Sequence, residues 1–201
     1  MSANKTLIIV GCGGHARSIA DVALFNGYEK LIFVDENARD NEVILDFNVI
    51  NNFALLEEPN QFILGIGDNT KRSISFSTYH SEIQLISKDA YVGLQSSISH
   101  GVFVGHNAYI GPLTCIGENT IINTHAIVEH ECIIGKHSHI SINSTIAGRC
   151  KIGDNVFVGA GAIIKDGIEI CSKVTIGSGS VVIENITKPG IYVGIPAKKI
   201  K

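Results

Sequence analysis

The sequence predicts a chain of two parts, a small α/β unit followed by a parallel β-helix of hexapeptide repeats. Three observations predict this. From Ile86 to Val182 an Ile or Val returns at every sixth residue, seventeen times in succession. A short aliphatic strand, a glycine turn, a helical stretch and a second strand succeed one another near the N-terminus. Gly and β-branched residues are abundant, and Trp is absent.

The first unit reads in βαβ order. Leu7 to Val10 is a short buried strand, followed by the turn Gly11-Cys12-Gly13-Gly14-His15. Ala16 to Phe25 has helical spacing, with Ile19, Val22 and Ala23 on one face and Gly27 as the stop. Leu31 to Val34 is a second strand, ending at Asp35 and Glu36. A further strand over 62–67 ends in Asp68-Asn69, and Thr70 to Tyr79 is a helix. The turn is not a full G-x-G-x-x-G, because position 16 is Ala. The helix N-terminus after it favours an anion, since its free N–H groups point outward. About 80 residues are too few for a full dinucleotide site, so a redox role is not expected.

The second unit follows a period that is neither 3.6 nor 2. A period of six is a short strand plus a corner, and three hexads close one triangular coil. The Ile and Val residues, position i of each hexad, stack in the prism core. Position i+4 is Ala, Ser, Thr or Cys in twelve of seventeen hexads, so it points inward where space is tight. Gly fills i+1 in eight hexads and is expected there for corner conformations. The register runs from 86 to 187 without an insertion, and domains are expected at 1–82 and 83–201. Cys132 and Cys150, 18 residues apart at i+4, are expected to be core thiols.

Composition narrows the function classes. The chain has 201 residues, 17% charged, with a net charge of −3. Such a chain has no field to hold polyanions, so nucleic acid is not an expected partner. No apolar run reaches the ~18 residues of a membrane span. Residues 1–10 lack the basic-then-apolar layout of a signal peptide. Five Cys with no C-x-x-C argue against a disulfide framework or a zinc knuckle. A reduced, cytoplasmic protein is expected.

Eight His are present, five of them between His106 and His139. His130 falls at i+2, outside the coil at a corner, and Gly148 stacks one coil above it. That arrangement predicts a slot beside the imidazole, with Gly148 N–H as a donor to a carbonyl. Glu131 follows at i+3, also a corner, where its carboxylate can hold Nδ1–H and leave Nε2 as a base. A metal centre is not expected. His125 and His130 are five apart, but two coils before His125 stands Asp89.

The hexads resemble those of the left-handed β-helix hexapeptide acyltransferases. The pairing of 10–15, 65–69, Val128-Glu129-His130-Glu131-Cys132, Ser138-His139 and 193–198 resembles the bacterial nucleotide-sugar N-acetyltransferases of the bacillosamine type, together with the sialic acid O-acetyltransferases. That resemblance implies an acetyl-CoA-dependent enzyme that acetylates the amine of a nucleotide-linked amino-deoxy sugar. It implies His130 as base with Glu131 as its partner. It implies cofactor contacts at His139, Gly148, Ser178 and Lys198. It implies nucleotide-sugar contacts at Gly11, Gly13, Gly14, His15, Asp35, Glu36, Gly67 and Asn69. It further implies a homotrimer with acetyl-CoA in grooves between subunits, so that His139 reaches a neighbour's His130. The alternatives are a sialic acid O-acetyltransferase and a non-enzymatic β-helix scaffold.

Overall fold

The structure is a computed structural model and describes residues 6–53, 61–79 and 81–201. The leader expectation over residues 1–10 therefore falls partly outside the described residues. The first unit is a five-stranded sheet made of β1 (Thr6–Val10), β2 (Lys30–Val34), β3 (Val43–Ile44), β4 (Phe47–Ile50) and β5 (Gln61–Leu64), in the order β3-β4-β2-β1-β5. Helices α1 (Gly14–Phe25) and α2 (Asn69–Tyr79) accompany it. All pairings are parallel except the β3–β4 hairpin. That hairpin was not foreseen; Leu45 and Asp46 take φ of 49° and 65° at its tight turn. Gly65 follows β5, and a Cβ there would lie 2.8 Å from the Ala16 Cβ. The small pair at 16 and 65 thus lets α1 lie close on the sheet.

Strands of mostly two residues then recur every six positions from Leu85–Ile86 to Val181–Val182, with no inserted loop. Up to the last coil each pairs in parallel with the strand 18 residues on, as Ile110 with Val128 and Val128 with Ile146. From Val102 onward the i residues and the apolar i+4 residues, Cys132 and Cys150 included, form one continuous buried core. The i+1 glycines have another cause than the one expected. Their φ values are not positive; instead a Cβ on Gly93, Gly105, Gly111 or Gly153 would lie 2.5–2.7 Å from the backbone of the next coil. They permit close stacking of coils. The left-handed φ falls at i+3, on residues such as Asn107, His125, Glu131, Arg149 and Asn155.

The three faces of the prism differ in their outward residues. Leu85, Phe103 and Ile121 on the first face are buried with Leu7, Ile9 and Ile19 of the α/β unit. The second face presents Tyr91, Tyr109, Ile127, Thr145, Ile163 and Val181, uncovered in the protomer. The third presents Ser97, Cys115, Ile133, Lys151 and Glu169, the last two paired at 2.7 Å. After the coils, Gly190–Val193 adds to the first face and turns back as Lys198–Lys199.

One buried side chain joins the two units. Arg72 of α2 is 1% exposed. Its Nε donates to Asn119 O, Nη1 to Ile66 O and Gly67 O, and Nη2 to Asn69 Oδ1, His137 O and Ser138 O, all at 2.8–3.2 Å. At the other end of the unit, His106 Nε2 meets Asp21 of α1 at 3.1 Å. Asn26 Nδ2 donates to Ile86 O at 2.7 Å. Arg72→Leu leaves several buried acceptors without a donor and should lower the unfolding free energy by about 3–5 kcal/mol. Arg72→Lys should recover part of that loss, as read by urea unfolding.

Candidate active site

The carboxyl ends of β1, β2 and β5 open onto a cleft of about 640 Å³. Gly11, Gly13, Gly14, His15, Asp35, Glu36 and Gly67 line it, seven of the eight residues expected there. Gly11 takes φ of +107° beneath the Gly65 carbonyl, a conformation that a side chain would strain. Gly13 caps α1 with no side-chain bond, and the first turn of α1 carries no acidic residue. Those free N–H groups suit a phosphate. Phe53 and Tyr79 stack at 4.4 Å on the wall.

Asp35 is already engaged. Its carboxylate accepts the Cys12 N–H and S–H at 3.1 Å and the Asn37 N–H at 2.9 Å. Burial raises its pKa, but these hydrogen bonds outweigh burial and hold it below the usual carboxylate range. Burial and the Asp35 carboxylate push the Cys12 thiol up to about 11, so it stays a donor. Glu36 is exposed and has no comparable anchor among the described residues.

Asn69 does not line the cleft. Its Oδ1 accepts from Arg72 and its Nδ2 donates to Val156 O at 3.1 Å, so the side chain links the two units. His15 turns its ring inward, edge-on to Phe103 at 5.0 Å and 6.1 Å from the His139 ring. Its Nε2 is enclosed with no partner among the described residues. Burial, then the neighbouring His139 ring and the Arg72 charge, hold its pKa well below the ordinary value.

His139 also differs from expectation. It is 8% exposed, with Nδ1 3.3 Å from Gly67 O and Nε2 3.0 Å from Asn123 Nδ2. Nδ1–H thus donates and Nε2 accepts, which makes a neutral ring. Both nitrogens are used within the protomer, under the α/β unit, where the sequence suggested an open corner facing a neighbour. Burial and then the Arg72 charge bring its pKa down to about 4.

On another edge of the prism stands the dyad. His130 Nδ1 lies 2.9 Å from Glu131 Oε2; a carboxylate only accepts, so Nδ1 carries the hydrogen and Nε2 keeps its lone pair. Gly148 is stacked above, but its space is not an empty slot. A Cβ there would lie 2.6 Å from His130 Cε1 and Nε2, so the imidazole itself fills the place. Gly148 N–H has no acceptor among the described residues. Ser178 is exposed on the next edge, across the second face from His130. Lys198 lines a small cavity with Glu184 and Asn185 at the far end of the His130 edge. The sequence reading missed Arg72; its one signal was an i, i+4 pair with Phe76 on the inner side of α2.

Gly148→Ala should keep the coil folded yet displace the imidazole, and reduce turnover about 10²-fold, the scale of a misplacement near 1 Å. His139 adds a pH dependence to stability. The unfolded ring protonates near 6.5 and the folded ring near 4. The unfolded state binds more protons between these values, so stability present above about pH 6.5 is lost as the pH falls toward 4. Through His139 alone, urea midpoints at pH 7 and 4.5 should differ by the equivalent of about 2–3 kcal/mol, and His139→Gln should remove that part and leave the part that the likewise buried His15 contributes.

Two family models match the chain, the PglD N-terminal domain over residues 6–78 and the bacterial transferase hexapeptide (six repeats) over 149–184. No curated protein sequence matches it. The acetyltransferase domain of PglB from Neisseria gonorrhoeae FA1090 is similar at 28% identity and TM-score 0.92, over 98% of this chain and 100% of that one. PerB from Caulobacter crescentus, solved in complex with CoA and GDP-perosamine, is similar at 27% identity and TM-score 0.89, over 99% of each chain. WeeI from Acinetobacter baumannii AYE shares the fold at 16% identity and TM-score 0.58, over 98% of this chain and 100% of that one. The glycine-turn unit and the hexad coils thus recur together in one order along whole chains, and the protein is an acyltransferase built of a PglD-type N-terminal domain and a left-handed β-helix of hexapeptide repeats.

Proposed function

We infer that this enzyme transfers the acetyl group of acetyl-CoA to the amine of a nucleotide-linked amino-deoxy sugar. The observation that carries the reading is the whole-chain likeness to PerB, whose complex holds CoA and GDP-perosamine together. A relative that uses an amine acceptor favours N-acetylation over the O-acetylation of sialic acid.

Residues 1–82 hold the nucleotide sugar and residues 83–201 carry the transfer. The diphosphate sits at the N-terminus of α1, on the Gly13 and Gly14 side of the cleft. Asp35, fixed by the turn, and Glu36, free, serve the nucleoside. His130 Nε2 takes a proton from the amine as its lone pair attacks the thioester carbon. The C–N bond forms, the C–S bond breaks, and the proton passes on to the CoA sulfur without an acyl-enzyme. Glu131 holds the tautomer and stabilises the imidazolium. Gly148 N–H, without a partner of its own, donates to the carbonyl oxygen as charge develops. Ser178 and Lys198 serve acetyl-CoA. His139, whose polar atoms are spent inside the protomer, positions the Gly67 wall of the cleft.

The active unit is a homotrimer. The uncovered second face supports this, with Tyr91 and Tyr109 stacked at 5.3 Å and Ile163 46% exposed. Covering it with a second copy in a closed ring brings the Ser178 edge of one subunit to the His130 edge of the next. The enzyme works in the cytoplasm, the compartment of its cosubstrate, in keeping with five unpaired cysteines.

The test is acetyl transfer to a panel of UDP-, GDP- and dTDP-linked amino sugars, read by mass spectrometry. One or more should gain an acetyl group on nitrogen. His130→Ala should reduce that turnover about 10²–10⁴-fold and leave acetyl-CoA binding intact. Turnover within a few-fold of wild type would remove His130 as the base.

A further inference from the structure

Along the edge that carries His130, side chains and glycines alternate between two adjacent columns. One column reads Pro112, His130, Gly148, Asp166, Glu184; the other reads Leu113, Glu131, Arg149, Gly167, Asn185. Gly148 above His130 admits the imidazole. Gly167 above Arg149 leaves open space, since a Cβ there would meet nothing within 4 Å. Arg149 Nη2 donates to both oxygens of Asp166, at 2.7 and 2.8 Å. The Arg149 guanidinium thus pairs with Asp166, and no ion pair joins it to Glu131, one coil below, among the described residues.

Asp166 thereby faces the base. The point a Cβ would take on Gly148 is 2.6 Å from His130 Nε2 and 3.1 Å from Asp166 Oδ2. The two polar atoms are therefore less than 6 Å apart, and Gly148 puts no side chain between them. Two acceptors within that distance can both be reached at about 2.8–3.0 Å by one nitrogen standing outward of Gly148.

We propose that Asp166, held by Arg149, is the second acceptor for the sugar amine beside His130 and selects an amine over a hydroxyl. The proposal rests on the N-acetyl transfer reading and names the group that makes it specific. An amine that gives one N–H to Nε2 has another for the carboxylate. A hydroxyl has a single hydrogen and leaves Asp166 without its partner. During attack the proton on the Nε2 side goes to His130 and then to sulfur. The N–H held by Asp166 stays on the amide product, and Asp166 remains an anion throughout.

Asp166→Asn is nearly isosteric at a half-exposed site, and thermal melts of the variants serve as the folding control. The probes are the nucleotide-linked amino sugar that wild type turns over fastest in the panel and its analogue with a hydroxyl in place of the amine. Wild type should bind the amino sugar about tenfold or more tighter than the analogue by calorimetry, and Asp166→Asn should bind both within about threefold. The amino-sugar KM should rise about tenfold and the acetyl-CoA KM stay within about twofold. Arg149→Gln should move the same values in the same direction by less. An unchanged amine preference in Asp166→Asn overturns the proposal. So does a rise in acetyl-CoA KM alone, which assigns the carboxylate to the cofactor arm. A wild-type enzyme that acetylates no amino sugar overturns the N-transfer reading, and this proposal with it, before any variant is made.

Discussion

The buried Arg72 guanidinium is the constraint on which the relation of cleft to coil depends. Six acceptors take up its N–H groups, three from the 66–69 segment and three from coil backbone at 119, 137 and 138. No carboxylate lies in that set; carbonyl dipoles take up the N–H groups, and the nearby Asp68 carboxylate favours the charge from a distance. Burial is unfavourable enough to lower its pKa to about 9, which still leaves it charged at neutral pH. Losing any of those acceptors exposes a costly buried charge, so the segment that walls the cleft is tied to the coil. The same charge bears on His15 and His139, whose rings stay neutral beside it.

The coil supplies the second constraint. Parallel stacking at a fixed 18-residue interval makes each column of side chains a straight line along the prism. A column can then be given a single task. One face takes the α/β unit, one is mostly apolar and uncovered, and one is mixed, with a Lys151–Glu169 pair. The corners carry the chemistry, because there two consecutive residues can both point outward. His130 and Glu131 use this, and on a flat strand they would lie on opposite sides. The left-handed φ of +58° at Glu131 gives that corner its direction.

Glycine has three separate duties in this architecture. At i+1 it allows backbones of successive coils to approach. At Gly11 it lets the chain turn beneath Gly65. At Gly148 it yields space to an imidazole. Only the last bears directly on chemistry, since it decides where the base stands relative to Asp166 and to its own unpartnered N–H.

The sequence by itself determined the repeat, its register, the βαβ order and the His130–Glu131 pair. Each of these is a local or strictly periodic property, and a period of six sets the 18-residue stacking interval, though not the hand of the coil. It also found the cleft residues borne on the glycine turn and on the end of β2. What it could not determine depended on which surfaces meet. The α/β unit packs on the face of Leu85, Phe103 and Ile121, and that contact encloses His15 and His139 and turns Asn69 toward Arg72. The hairpin of β3 and β4 lacks a long apolar signal because its strands are short and partly exposed. The role of the i+1 glycines lay in the neighbouring coil rather than in their own dihedral angles. The partners of Arg72 were hidden for the same reason. They are carbonyl oxygens, which every residue carries and no sequence pattern marks, and only the docking of the two units brings them to one guanidinium.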